Sequence, residues 1–232
     1  VRATRGLHCP QWLTDGVLFC SAVFCSAPFC SALFLKGRNE VRTVPESLTR
    51  GDLLIASPYL SDPNFRRSVV VLCEHGPDGS LGIVVNRPMQ VPLGKVLDPM
   101  REGPAALELV HQGGPVETGR LLGLRRGSHP DEPVENVGEG ISLLTDLEHS
   151  LELIGAGAVI PTDYRFYLGY SGWGKGQLAQ EVNQAAWIVS RESASAELAF
   201  EVPSGELWSQ TLRSLGGRYA WFAEMPVDPE WN

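Results

Sequence analysis

The body of this chain is almost free of cysteine. Four of its five cysteines fall before residue 31, and only Cys73 lies further along. A single thiol cannot build a disulfide framework, so the fold must stand on its core. That usage fits a reducing, cytoplasmic compartment. Cys73 ends the apolar run Val69-Val70-Val71-Leu72, which marks it as a buried, unreactive thiol. There is no His-x-x-x-His and no Cys-x-x-Cys, and His8, His111, His129 and His149 have no ligand-like spacing. No zinc site and no other cofactor is expected. Excess positive charge is missing too. Residues 1–48 hold five of the 19 Lys/Arg and three of the 27 Asp/Glu. The remainder carries 14 basic against 24 acidic residues, a balance of −10. Such a domain has no diffuse attraction for phosphate backbones or anionic lipid, and no basic recognition helix stands out. Direct nucleic-acid binding and membrane association are not expected.

What is present has the composition of a globular protein, 43% hydrophobic and 20% charged over 232 residues. That length holds one domain with something left over. The surplus is residues 1–48, where Phe-Cys-Ser-Ala recurs at 19–22, 24–27 and 29–32. The span 16–35 is long enough to cross a bilayer, and Arg2 and Arg5 precede it. Against that, Pro28 interrupts the span and the repeat has neither a helical nor a strand period. We read residues 1–48 as a low-complexity extension outside the functional domain, which occupies 49–232.

Within the domain, strands and helices alternate. Leu53 to Ala56 is a short apolar strand. Ser68 to Glu74 is a Val-rich strand of the doubly buried kind. It forms a hairpin with 81–85 across the turn Gly76-Pro77-Asp78-Gly79. The spacing of apolar residues at 93, 96, 97 and 100 predicts a helix over 91–100. Strands follow at 107–110, 121–124 and 141–144, with residues 127–139 read as an exposed loop. Asp146 caps a helix running to Ile154. A strand at 164–168 leads through a glycine-rich turn, 169–176, into a helix from Gln177. Trp187 to Val189 is a strand, 207–215 a helix, and the apolar tail 219–222 docks on the core. The expected class is α/β, a single compact three-layer domain with a mixed sheet.

The glycine-rich stretch Gly169-Tyr170-Ser171-Gly172-Trp173-Gly174-Lys175-Gly176-Gln177 approaches two catalytic patterns and completes neither. As a phosphate-binding loop it has Gly169, Gly174 and Lys175 in place, but position 176 is Gly where a hydroxyl should hold magnesium. As a nucleophile elbow it begins Gly169-Tyr170-Ser171, but position 173 is Trp where the helix must pack closely. Glu74-His75 places a carboxylate beside an imidazole, yet strand neighbours point to opposite faces. If the hairpin forms, Arg67 and Arg87 lie at one end of it, because antiparallel strands bring the start of one beside the end of the other. With Arg165, this is a candidate cationic pocket for a carboxylate or phosphate, or a set of ordinary ion pairs with acids such as Asp62 and Glu181.

Several stretches together resemble the bacterial AlgH/YqgE family. They are Gly51-Asp52-Leu53-Leu54-Ile55-Ala56 with Asp62-Pro63-x-Phe65, Ser68 through His75, Gly82-Ile83-Val84-Val85-Asn86-Arg87-Pro88, Gly113-Gly114-Pro115-Val116, and Gly169-Tyr170-x-Gly172-Trp173-x-x-Gly176-Gln177-Leu178 with Glu181. The resemblance spans about Thr49 to Trp187. One departure is Leu124-Arg125, where members usually carry Leu-His. The resemblance implies a compact three-layer α/β domain with no established enzymatic activity, often labelled a transcriptional regulator. The expected function is therefore a regulatory or ligand-binding protein that acts through a small ligand or a protein partner. Its expected recognition residues are Arg67, Glu74, His75, Asn86, Arg87, Gly113, Gly114, Tyr170, Trp173 and Gln177. No catalytic residue is assigned; the alternative is a hydrolase or transferase using His75 or Ser171.

Overall fold

The computed structural model describes residues 48–190 and 194–226. The N-terminal extension, Leu48 apart, lies outside the described residues. Ten strands form among those residues: β1 (Leu53–Ala56), β2 (Val69–Gly76), β3 (Gly79–Val84), β4 (Pro88–Pro92), β5 (Leu109–Gln112), β6 (Val116–Arg126), β7 (Val134–Gly138), β8 (Ile141–Leu144), β9 (Tyr164–Gly174) and β10 (Trp187–Ser190). The α-helices are α1 (Leu93–Val96), α2 (Leu147–Gly155), α3 (Gln177–Asn183), α4 (Ala196–Phe200), α5 (Ser204–Ser214) and α6 (Gly217–Phe222). The class is mixed α and β. The main path of the sheet runs β10-β1-β2-β3-β9-β6-β8-β7 with antiparallel neighbours throughout, while β5 lies parallel to β9 and pairs with β4.

The Val-rich strand explains how the two faces of the sheet are covered. Val69 to Cys73 is wholly buried, so no polar alternation appears in its sequence. Val69, Val71 and Cys73 join a core with Ala199 of α4 and Leu207, Trp208 and Leu212 of α5. Val70 and Leu72 face the other way, into a core with Trp173, Leu178 of α3 and Trp187. Burying each aliphatic side chain stabilises the fold by about 1.5–3 kcal/mol. Trp208 also fixes α5 over β1 by donating its indole N–H to the Ala56 carbonyl at 2.8 Å. Burial raises the Cys73 thiol to about 12, the inert state its sequence context implied.

β9 is the hub. Its first half pairs with β6, Tyr164 to Leu168 against Arg125 to Leu121, and its second half with β3, Ser171 to Gly174 against Gly82 to Gly79. β5 lies on its other edge, His111 beside Tyr167. The chain must therefore pass from β5, on one edge of β9, to β6, on the other. It does so at Gly113-Gly114-Pro115, directly over Gly169 and Tyr170. A Cβ on Gly113 would sit 2.2 Å from the Gly169 carbonyl oxygen, and one on Gly114 would sit 2.2 Å from the Tyr170 carbonyl carbon. Gly169 itself has φ +70, and a Cβ there would sit 2.5 Å from the Gly114 oxygen. Glycine on both chains lets the two backbones touch.

Three local expectations are corrected. Residues 169–174 are strand rather than turn, and the turn is confined to Lys175-Gly176. The glycines there serve close backbone approach. Residues 91–100 are not one helix. Pro88–Pro92 forms β4, paired only with β5, and α1 lasts a single turn before a 3-10 turn at Asp98–Met100. Leu93 and Met100 still enter the core, as their spacing required. The 127–139 loop contains β7, an edge strand whose polar Glu135 and Asn136 disguised it.

Candidate functional site

The hairpin of β2 and β3 brings Arg67 and Arg87 to one end of the sheet. There a cleft of about 450 Å³ is lined by Arg66, Arg67, Asn86, Arg87, Pro88, Gln112, Ser204, Gly205, Trp208 and Ser209. Three guanidinium groups share it, and among the described residues no carboxylate lines it. Among the described residues none of the three is within ion-pair distance of an acid. Burial, with Arg66 adding, pulls the Arg67 guanidinium below its usual value. Burial does the same to Arg87, where Asp62 opposes the shift and Arg66 adds to it. Both shifts express cations desolvated without a full counter-charge.

Local structure holds these groups in place. Arg67 has φ +55, a left-handed conformation rare outside glycine. Asn86 braces it: its Nδ2 donates to the Arg67 carbonyl at 2.9 Å and its Oδ1 accepts from the Val69 amide at 2.9 Å. Arg87 donates to the carbonyls of Pro63 and Arg66, both at 2.9 Å. Arg67 donates to the Met225 carbonyl and lies 4.7 Å over the Trp208 ring. Arg66 is exposed, and among the described residues its side chain makes no contact of this kind. The remaining wall is the start of α5, whose N-cap is Pro203 and has no side-chain cap. Among the described residues the amides of Ser204 and Gly205 have no acceptor, so they and the helix dipole favour an anion.

The ten residues expected from sequence fall in four places. Arg67, Asn86 and Arg87 are in the cleft. Glu74 and His75 lie at the far end of the hairpin, roughly 25 Å of strand away, where His75 Nδ1 meets only Ser80 Oγ at 2.7 Å. Gly113, Gly114 and Tyr170 make the crossing over β9, with the Tyr170 hydroxyl donating to Glu117 at 3.3 Å. Trp173 and Gln177 belong to a buried knot around Glu181. There the indoles of Trp173 and Trp187 donate to Glu181 Oε2 at 2.9 and 2.8 Å, and Gln177 Nε2 donates to Oε1 at 2.9 Å. Arg165 is elsewhere again, donating to the Phe200 carbonyl at 2.9 Å. Ser171 is fully buried, and its hydroxyl makes a long bond of 3.4 Å to the Gly113 carbonyl. The structure does not bring His75 and Ser171 together.

Arg125 is buried beside Glu132, with Nε 3.1 Å from Oε2. The Tyr164 hydroxyl donates to that same oxygen at 3.0 Å. His111 is buried against Tyr167, and its imidazole is pulled down to about 4 by burial first and by Arg165 second. No group of three or more metal-ligating side chains occurs among the described residues. Among them, too, no helix is long and apolar enough to cross a membrane. The ten expected residues did not include Arg66, Gln112, Ser204, Gly205, Trp208 or Ser209. The helix at 207–215 was legible, but it begins at Ser204, and its docking against β1 was not.

A mostly antiparallel sheet covered by helices, with an arginine-lined cleft at one end, defines a mixed α/β protein. The chain belongs to the AlgH-like family, whose profile matches residues 53–220. It is 36% identical over 188 residues to a UPF0301 protein of Chlorobium limicola, covering 81% of this chain and 97% of that one. It is 35% identical over 186 residues to a UPF0301 protein of Cytophaga hutchinsonii, covering 80% and 100%. The solution structure of the AlgH protein from Pseudomonas aeruginosa superposes with a TM-score of 0.61 at 30% identity, over 76% of this chain and 94% of that one. A crystal structure of protein DIP2367 from Corynebacterium diphtheriae shares the fold, with a TM-score of 0.63 at 20% identity over 77% and 93%.

Proposed function

We propose that this chain is a cytoplasmic ligand-binding protein whose site is the arginine cleft, and that its ligand is a small anion. The carrying observation is the convergence of Arg66, Arg67 and Arg87 in one cleft without an acid among the described residues. Like charges repel, and Arg67 and Arg87 are partly buried, so holding them beside Arg66 costs stability that an anion restores. Arg67 is also held in a strained backbone conformation, a feature that clusters at functional sites. A regulatory output would pass through the ligand or a protein partner rather than through DNA, since the domain balance is −10. No observation favours the hydrolase alternative.

A thermal-shift screen of small anionic metabolites tests this reading. A binder raises the melting temperature by mass action. The shift should shrink in Arg66→Ala, whose side chain makes no hydrogen bond or ion pair among the described residues. If no anion stabilises the protein, or a hit's shift is unchanged in both Arg66→Ala and Arg67→Gly, the site is misplaced.

A further inference from the structure

Resting on the anion-cleft reading, we infer that the cleft takes a small phosphate monoester with a hydroxylated, non-aromatic body. Three features of the lining select this class.

The first is charge. Among the described residues, three guanidinium groups and no acid face the cleft. A monocarboxylate would leave most of that charge unmatched, whereas a phosphate monoester brings about −1.5 to −2 at neutral pH.

The second is the direction of the donors. A carboxylate is planar and is best held by a guanidinium fork giving two parallel bonds. In Arg87 both terminal nitrogens already donate to the carbonyls of Pro63 and Arg66, and in Arg67 one donates to Met225. Among the described residues only Arg66 has its whole fork free. The other donors are single N–H groups from three elements: Arg67 in the turn before β2, Arg87 after β3, and the amides of Ser204 and Gly205 at the start of α5. Single donors converging from several directions suit the three oxygens of a tetrahedral phosphoryl group.

The third is the rest of the wall. The one aromatic ring there, Trp208, is not available as a stacking plate. It is 2% exposed, Arg67 covers its face, and its indole N–H is used on Ala56. A nucleobase therefore finds no platform. Beside Trp208, the uncharged lining is Asn86, Pro88, Gln112, Ser204, Gly205 and Ser209. The Gln112 side chain has no partner among the described residues, so it can hydrogen-bond ligand hydroxyls. A volume of about 450 Å³ lies within the range of small-ligand sites.

The test uses the full isotope-labelled chain titrated with glycerol 3-phosphate, ribose 5-phosphate and glucose 6-phosphate. AMP, inorganic phosphate and citrate serve as comparisons. At least one of the three esters should bind about tenfold more tightly than inorganic phosphate, AMP and citrate. It should move the amide resonances of Ser204 and Gly205, and its affinity should fall about tenfold in Arg66→Ala and with rising salt. Citrate or AMP binding at least as tightly as every ester overturns the inferred class and leaves the anion cleft standing. The class is overturned in the same way if no ester outdoes inorganic phosphate. If no anion moves Ser204 and Gly205, or if Arg66→Ala and Arg67→Gly bind as the parent does, both readings fall together.

Discussion

Two regions of this molecule concentrate polar groups, and they differ in whether the groups are answered. Around Glu181 every partner is present: two indole N–H groups and a glutamine amide converge on one buried carboxylate. Around Arg66, Arg67 and Arg87 three positive charges converge on a cleft with no acid among the described residues. The first region carries the more conspicuous sequence, Gly169 to Glu181, yet its Trp173, Gln177 and Glu181 meet inside and tie β9, α3 and β10 together. The second carries a plainer sequence and keeps unanswered charge. A dense motif can thus be structural, and the test of a site is the donor left without an acceptor. Side-chain loss should cost stability in the first region and binding in the second.

The largest effect is expected at Glu181. Glu181→Ala removes the acceptor of three bonds inside the core and strands two indole N–H groups. Each buried donor left unanswered costs about 1–3 kcal/mol, so a loss of about 3–5 kcal/mol in denaturant unfolding is expected. Glu181→Gln keeps one oxygen acceptor and should lose less. A loss below about 1 kcal/mol for the alanine variant would break the comparison, because the knot would then not be holding the fold.

The crossing over β9 should behave like the knot. Gly114→Ala puts a Cβ against the Tyr170 backbone, which has no side chain to swing aside. Forcing atoms into packed space costs about 1–3 kcal/mol, and a backbone neighbour places this site at the upper end. Unfolding at equilibrium measures it, and a neutral result would mean that the two chains are not in contact.

His111 extends the comparison into pH. Its folded pKa is depressed to about 4 by burial and Arg165, against about 6.5 for a free imidazole. Between these values the unfolded chain takes up a proton that the folded chain refuses. Stability is therefore full above about pH 6.5 and falls as pH drops toward about 4, by about 2–3 kcal/mol. His111→Gln should flatten that slope. An unchanged slope would assign the pH dependence to other groups.

The sequence was legible where one residue type has one use. The Val-rich run predicted a doubly buried strand, and Gly76-Pro77-Asp78-Gly79 its hairpin, from which the meeting of Arg67 and Arg87 followed. It was ambiguous where a residue has two uses. Glycines at 113, 114 and 169 suit a ligand loop and a chain crossing equally, and only the threading of β5 to β6 across β9 decides. Trp173 and Gln177 read as recognition residues until Glu181, eight positions from Trp173, is seen to collect both. Ser204, Gly205 and Trp208 enter the cleft because α5 docks on β1. That tertiary contact between residues 56 and 208 leaves no local trace in the sequence.

The smallest effect on stability, and the sharpest test of the comparison, is expected at Arg66 and Arg67. Arg66 is exposed and its side chain supports nothing, so Arg66→Ala should change unfolding stability by less than about 0.5 kcal/mol. Arg67→Gly loses the stack on Trp208 and the bond to Met225. It also relieves a left-handed conformation that costs a non-glycine residue about 1–2 kcal/mol, so the two nearly offset. Both variants should keep their melting temperature without ligand and lose most of the anion-induced rise. A large drop in intrinsic stability in both would mean that these arginines, like Glu181, are answered groups. The division between a closed knot and an open cleft would then disappear.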